Sequence, residues 1–198
     1  MRDDTGQNLV EFALLLPVLM YLLMGIIQFG FIFAAYLTLN NAVREAARWG
    51  SIYVYDNSSS AAANDGIRND GIVDRIIQSR GILNMAARGS STSTFDTTSS
   101  GTLGSPSTSC PEPTPTPVLG YWYGASGSSY PDVTICYAIP AGVTANDPRR
   151  GYYLDVEAWY HVTVWVPLLD QFLPNDPSKG SGASQWIRLP GRITVVVN

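Results

Sequence analysis

Few side chains in this 198-residue chain could do chemistry. His161 is the only histidine, and histidine is the side chain whose ordinary pKa lies nearest neutrality. Strand alternation puts it beside Thr163 and on one side with Glu157. A nucleophile–base–acid set needs a third partner brought by the fold, and the chain has no Gly-x-Ser-x-Gly elbow. No Cys/His group has zinc spacing, and no glycine-rich phosphate loop is followed by Lys. His161 is therefore expected exposed or at the rim of a strand face, without two catalytic partners. No enzyme activity, metal or cofactor is expected. Asn64-Asp65-Gly66-Ile67 and its echo Asn69-Asp70-Gly71-Ile72 gather oxygen ligands of the kind calcium takes. They lack the alternating ligand positions and closing Glu of an EF-hand, so Asp70 is read as capping a short helix that Gly81 ends. The two cysteines, Cys110 and Cys136, are compatible with one disulfide in an oxidising compartment, which is the expected pairing because the long apolar run implies export, with two free thiols as the alternative.

Glu11 is the carboxylate that stands out. It opens a run with no charge from Phe12 to Val43, and a carboxylate at the entrance of a membrane segment is costly and normally has a job.

The elements that must position these groups follow from periodicity. A helix from Leu9 to Leu39 is about 45 Å long at 1.5 Å per residue, more than the roughly 20 residues one crossing needs. It continues through Asn40 to Trp49, in good helix-forming residues, and Gly50-Ser51 is the first plausible stop. A secretory signal peptide, with only about 7–15 apolar residues, fits poorly. Pro17 lies inside the run and should kink or loosen the turn above Ala13. Gly25 and Gly30 are further soft points, and Gly30 and Ala34 have the small-xxx-small spacing that permits close helix approach. Lys and Arg do not fix orientation: Arg2 is offset by Asp3 and Asp4, and Arg44 and Arg48 lie beyond the run.

After the helix, Ser58 to Asn64 reads as a polar linker. Val73, Ile76, Ile77 and Arg80 follow helical spacing. Ser90 to Pro117 is dominated by Ser, Thr, Gly and Pro and reads as a surface loop, either O-glycosylated on an exposed face or simply flexible. Val133 to Ile139 reads as a strand stopped by Pro140. Leu154, Val156, Ala158, Tyr160, Val162, Val164 and Val166 occupy every second position, the mark of a strand with one buried face. Arg192 to Val197 reads as a final strand, and antiparallel pairing is favoured because no crossover helices are apparent. Tyr121, Trp122, Tyr123, Trp159 and Trp165 form either a carbohydrate platform or core and subunit contacts.

The first 50 residues carry a resemblance. Gly6-Gln7-Asn8-Leu9-Val10-Glu11-Phe12-Ala13-Leu14-Leu15-Leu16-Pro17, then Gly25 to Gly30, then Tyr36 to Arg48, resemble the TadE-like family of pilins and pseudopilins. Val162 to Leu169 is a looser echo of the same family. The acidic pair Asp3-Asp4 departs from the more basic leaders of such proteins. The resemblance implies processing by prepilin peptidase between Gly6 and Gln7. It implies a subunit held in the inner membrane before transfer into a tight-adherence filament outside the cell. Cleavage would free an α-amine on Gln7, one helical turn from Glu11, able to pair with Glu11 of its own chain or of a neighbour and so set axial register.

The expected architecture is α+β, a long N-terminal hydrophobic helix bearing a C-terminal antiparallel β-rich head. Residues 1–6 are read as leader, 7–52 as the transmembrane and filament-core helix, and 53–198 as the head with its 90–117 loop. The expected role is a filament subunit for adhesion, with Glu11, Pro17, Gly25, Gly30 and Ala34 serving assembly. The alternative is a membrane-anchored binding protein that does not polymerise. A net charge of −4 and no basic tract give no sign of a nucleic-acid partner.

Overall fold

The computed structural model describes residues 4–103, 118–144, 148–166, 173, 176–179 and 185–198. Helix α1 runs Asp4–Ser51 and α2 runs Ala61–Gln78. Five strands follow: β1 Ser99–Leu103, β2 Val118–Gly124, β3 Val133–Ala138, β4 Tyr153–Thr163 and β5 Trp186–Val196. They form one antiparallel sheet in sequential order, so each strand pairs with its neighbour in the chain. The α+β architecture read from the sequence is what the chain adopts, with sequential pairing needing no crossover.

Register decides which face meets the helices. Val133 pairs with Ala158 and Ala158 with Gly191, Ile135 with Val156 and Val156 with Ile193, and Tyr137 with Leu154 and Leu154 with Val195. These share one face, and α1 lies across it. A Cβ added to Gly191 would come 2.9 Å from Leu39 Cγ and 3.2 Å from Val43 Cγ2. Only glycine lets the helix approach the strand this closely. Gly50 does the same for α2, where an added Cβ would come 2.6 Å from Ile72. The core therefore joins Leu39, Ala42, Val43, Ala46 and Ala47 of α1 to Ile72, Val73 and Ile76 of α2 and to the sheet.

Several expectations need correction. The second helix starts at Ala61, capped by Ser60, whose side chain accepts from Ala63 N–H. Asp70 is inside it, not at its cap, and residues 61–64 are helix, not linker. The reason is a strong amphipathic stripe that runs back from Ile77 through Ile72, Asn69, Arg68 and Asp65. The 90–117 loop holds strand β1 and the buried Phe95, whose backbone bonds to Thr92. Residues 104–117 are outside those described. The last strand begins at Trp186, well before Arg192, because Pro190 presents no N–H and sits on an edge of the sheet where none is needed. The alternation ends as strand at Thr163, not Val166, and residues 167–169 of the looser echo lie outside the described residues. Cys136 is buried in β3. Cys110, its partner in the expected disulfide, lies outside the described residues, and the pairing stays an expectation.

Candidate functional site

Helix α1 is divided lengthwise by its packing. From Ala35 onward its inward face is buried against the sheet and α2. Before Gln28 no described residue covers it: Leu9, Phe12, Leu15, Leu19, Leu23 and Ile27 are all exposed. Residues Leu9–Ser51 form a helix long and apolar enough to cross a membrane, with mean hydropathy 2.3 over its most apolar stretch of 18 residues. Leu9 to Gln28 alone spans about 28 Å at 1.5 Å per residue, close to the roughly 30 Å hydrocarbon core. The exposed half is thus about one bilayer long.

The assembly residues sit on this uncovered rod. Gly6 is exposed in the first turns of α1, and Glu11 is exposed one turn and a half later. The side chain of Gln7 lies outside the description. Pro17 is inside a helix that remains continuous on both sides. Cβ atoms added at Gly25 or Gly30 would meet nothing within 4 Å. Their small size is therefore not used within the monomer, unlike that of Gly50 and Gly191. Ala34 is half-buried where the head begins. The structure brings Gly30 and Ala34 onto neighbouring turns and leaves Glu11 and Pro17 well below them.

Gln28 marks the junction. It is 5% exposed. Its Nε2 donates to Thr163 O at 3.2 Å, and its Oε1 accepts from Trp165 N–H at 3.2 Å. An amide in an apolar helix thereby satisfies the last backbone groups beyond β4. The sequence reading passed over it, although it is the one amide within the uncharged run from Phe12 to Leu39.

His161 is corrected. It lies on the outer sheet face, yet it is 1% exposed. Its Nε2 meets Asp132 Oδ1 at 2.9 Å, and its Nδ1 meets Asp176 Oδ2. The 92–97 turn and the Pro177–Lys179 3-10 turn cover it: Thr94 O accepts from His161 N–H, and Asp132 Oδ2 accepts from Asp96 N–H at 2.6 Å. Both carboxylates come from segments distant in sequence, so strand alternation could not foresee them. Ser178 Oγ lies 3.4 Å from Nδ1 but donates to Asp176 at 2.6 Å. Both ring nitrogens face carboxylates, and the arrangement ties β4 to two turns. Burial works against the Asp176 charge, but donors from Ser178 and His161 prevail and hold its carboxyl below the usual range.

A second buried polar set joins α2 to the sheet. Arg68 is fully buried among Tyr53, Tyr55 and Tyr137, with ring centroids 5.5, 4.8 and 5.6 Å away. Asp65 binds Arg149 and accepts from the hydroxyls of Tyr55 and Tyr121. Burial pushes the Arg149 pKa down, but the bond to Asp65 reverses this and leaves it raised. The Asn-Asp-Gly repeats thus supply inward-facing Asn64, Asp65 and Asn69 in place of a calcium loop, and no group of three His, Cys, Asp or Glu side chains suited to a metal occurs among the described residues. The aromatic residues do not form one platform. Tyr121 and Tyr123 reach α2 through Asp65 and Asp70, whereas Trp159 on the other face stacks on Arg188 at 4.0 Å.

No curated protein and no solved structure matches the chain. Residues 6–48, from the expected processing site to the last buried turns of α1, match the family model described as TadE-like protein.

Proposed function

We propose that this protein is a structural subunit of an extracellular, type IV pilus-like filament of the tight-adherence kind, serving attachment to surfaces. The carrying observation is the bare apolar half of α1, about one bilayer long and bearing two glycines whose missing side chains the monomer does not need. In the membrane this rod is solvated by lipid. In a filament the same rod packs against copies of itself, and Gly25, Gly30 and Ala34 allow close approach. Prepilin peptidase acts between Gly6 and Gln7, a bond in the first turns of α1, where a helix frays most readily. The freed amine meets Glu11 of the adjacent subunit, and wrong staggers leave an unpaired charge in an apolar bundle. The head tiles the outside. Catalysis has no part in this reading, because the one histidine is engaged on both nitrogens.

The test is incorporation. Glu11→Ala and Gly30→Leu should each give normal membrane levels and a folded head. Entry into sheared surface filaments should fall about tenfold or more, the effect of roughly 1.4 kcal/mol per subunit. Wild-type incorporation of Glu11→Ala would sink the register role. A folded, inserted wild-type chain that never enters filaments would favour the non-polymerising binding protein instead.

A further inference from the structure

We infer that the underside of the head is a membrane-contact surface, on which Trp165, Ile82 and Phe31 seat in the outer headgroup boundary of the bilayer before assembly. This rests on the membrane-spanning reading of α1. The height of the surface is fixed by the structure. Gln28 clamps the chain at Thr163 and Trp165, so this end of β4 is held at the level of residue 28 on α1. Glu11 to Gln28 spans about 26 Å, against a hydrocarbon core of about 30 Å. A bilayer that has Glu11 at one boundary therefore has Gln28 and Trp165 at the other.

The residues at that level suit it. Trp165 is 76% exposed, Ile82 68% and Phe31 57%. They surround a hollow of about 260 Å³ between α1 and the head, which Leu83 and Ala35 also line. Its apolar surface continues directly onto the bare half of α1. At the same sheet end Trp186 pairs with Thr163, and the Lys179 ammonium lies 5.1 Å from the Trp186 ring. Tryptophan with a nearby cation is the usual dressing of a membrane interface, where an amphipathic ring meets both lipid chains and headgroups. Exposure alone does not make the case. Val54 is 79% exposed as well, but it follows the end of α1 at Ser51, which lies about 35 Å along the helix from Gln28 and out of reach of the bilayer. Position relative to the span is what separates the two patches. The contact would fix the tilt of the head and hold the subunit at one depth until extraction.

Full-length protein in liposomes tests this. Lipids brominated near the headgroup are compared with lipids brominated near the chain ends, and the Trp165 signal is the difference between wild type and Trp165→Phe. Trp165 is so exposed that the substitution leaves the fold intact. Headgroup-level bromine should quench this component about twofold more than deep bromine. Three outcomes overturn the inference. An inserted chain, resistant to carbonate, whose Trp165 component is unquenched leaves the span standing and removes the contact. A blue-shifted but unquenched Trp165 assigns the patch to a second copy of the chain. Release of the chain by carbonate removes the span, and the contact with it.

Discussion

At the scale of single residues, His161 shows how a polar group becomes structural. An imidazole between Asp132 and Asp176 joins β4 to turns that are otherwise short and polar. Removing one partner of a buried hydrogen-bonded set leaves the others unsatisfied, at a cost of about 1–3 kcal/mol. His161→Ala should thus lower the urea midpoint of the head markedly, and Asp132→Asn with Asp176→Asn in the same chain should restore part of it. The Asp176 carboxyl adds a pH dependence. Its pKa in the folded head lies below the unfolded value, so the unfolded chain binds the proton more tightly. The stabilisation is fully present above about pH 4, the ordinary aspartate range, and is lost as pH falls through the folded value. The stability gap between wild type and Asp176→Asn should narrow as the pH is lowered below about 4. A gap unchanged over that range would show that Asp176 is not the charged partner.

At the scale of elements, α1 is one helix with two environments. Its glycines report the difference. Gly191→Ala on β5 would push a methyl into Leu39 and Val43, and overpacking of this kind costs about 1–3 kcal/mol. Gly30→Ala meets nothing in the monomer and should leave the thermal midpoint of the head unchanged. Equal effects of the two substitutions would mean that the lower half of α1 is covered within the monomer after all. Helix α2 is amphipathic in an unusual way, because its buried stripe turns polar in its first half. The apolar half packs on α1. In the polar half, Tyr55, Tyr121 and Arg149 donate to Asp65 and Tyr137 donates to Asn69, while Arg68 Nε and Nη1 and Asn69 Nδ2 meet no hydrogen-bond partner among the described residues.

At the scale of the whole molecule, the head is not separable from the helix that carries it. Leu39, Ala42, Val43, Ala46 and Ala47 are completely buried. Full burial of Leu39 and of Val43 contributes about 1.5–3 kcal/mol each, within a total stability of only about 5–15 kcal/mol for a domain. A chain lacking residues 1–24 should give a soluble, cooperatively folding head. A chain lacking residues 1–52 should be unfolded or aggregated by circular dichroism and gel filtration. A cooperative transition in the shorter chain would show that the sheet and α2 form a sufficient core.

What the sequence determined by itself lies in patterns whose period matches an element. The uncharged run from Phe12 to Val43 required a long helix. The alternation from Leu154 marked a strand with one buried face, and the absence of crossover material favoured antiparallel pairing. Gly6 and Glu11, with the residues between and after them, carried the family likeness. Tertiary structure decided the rest, because those features depend on contacts between distant segments. Asp132 and Asp176 reach His161 from residues 29 and 15 positions away, and alternation describes only one strand's faces. Polar residues entering the stripe of α2 looked like a loop until Tyr137, Tyr121 and Arg149 were placed opposite them. Gln28 became a junction only when the end of β4 reached it. Local periodicity settles which face of an element is buried. The fold alone settles what that face meets, since a polar group that loses its water on burial is stabilised by a partner arriving from elsewhere in the chain.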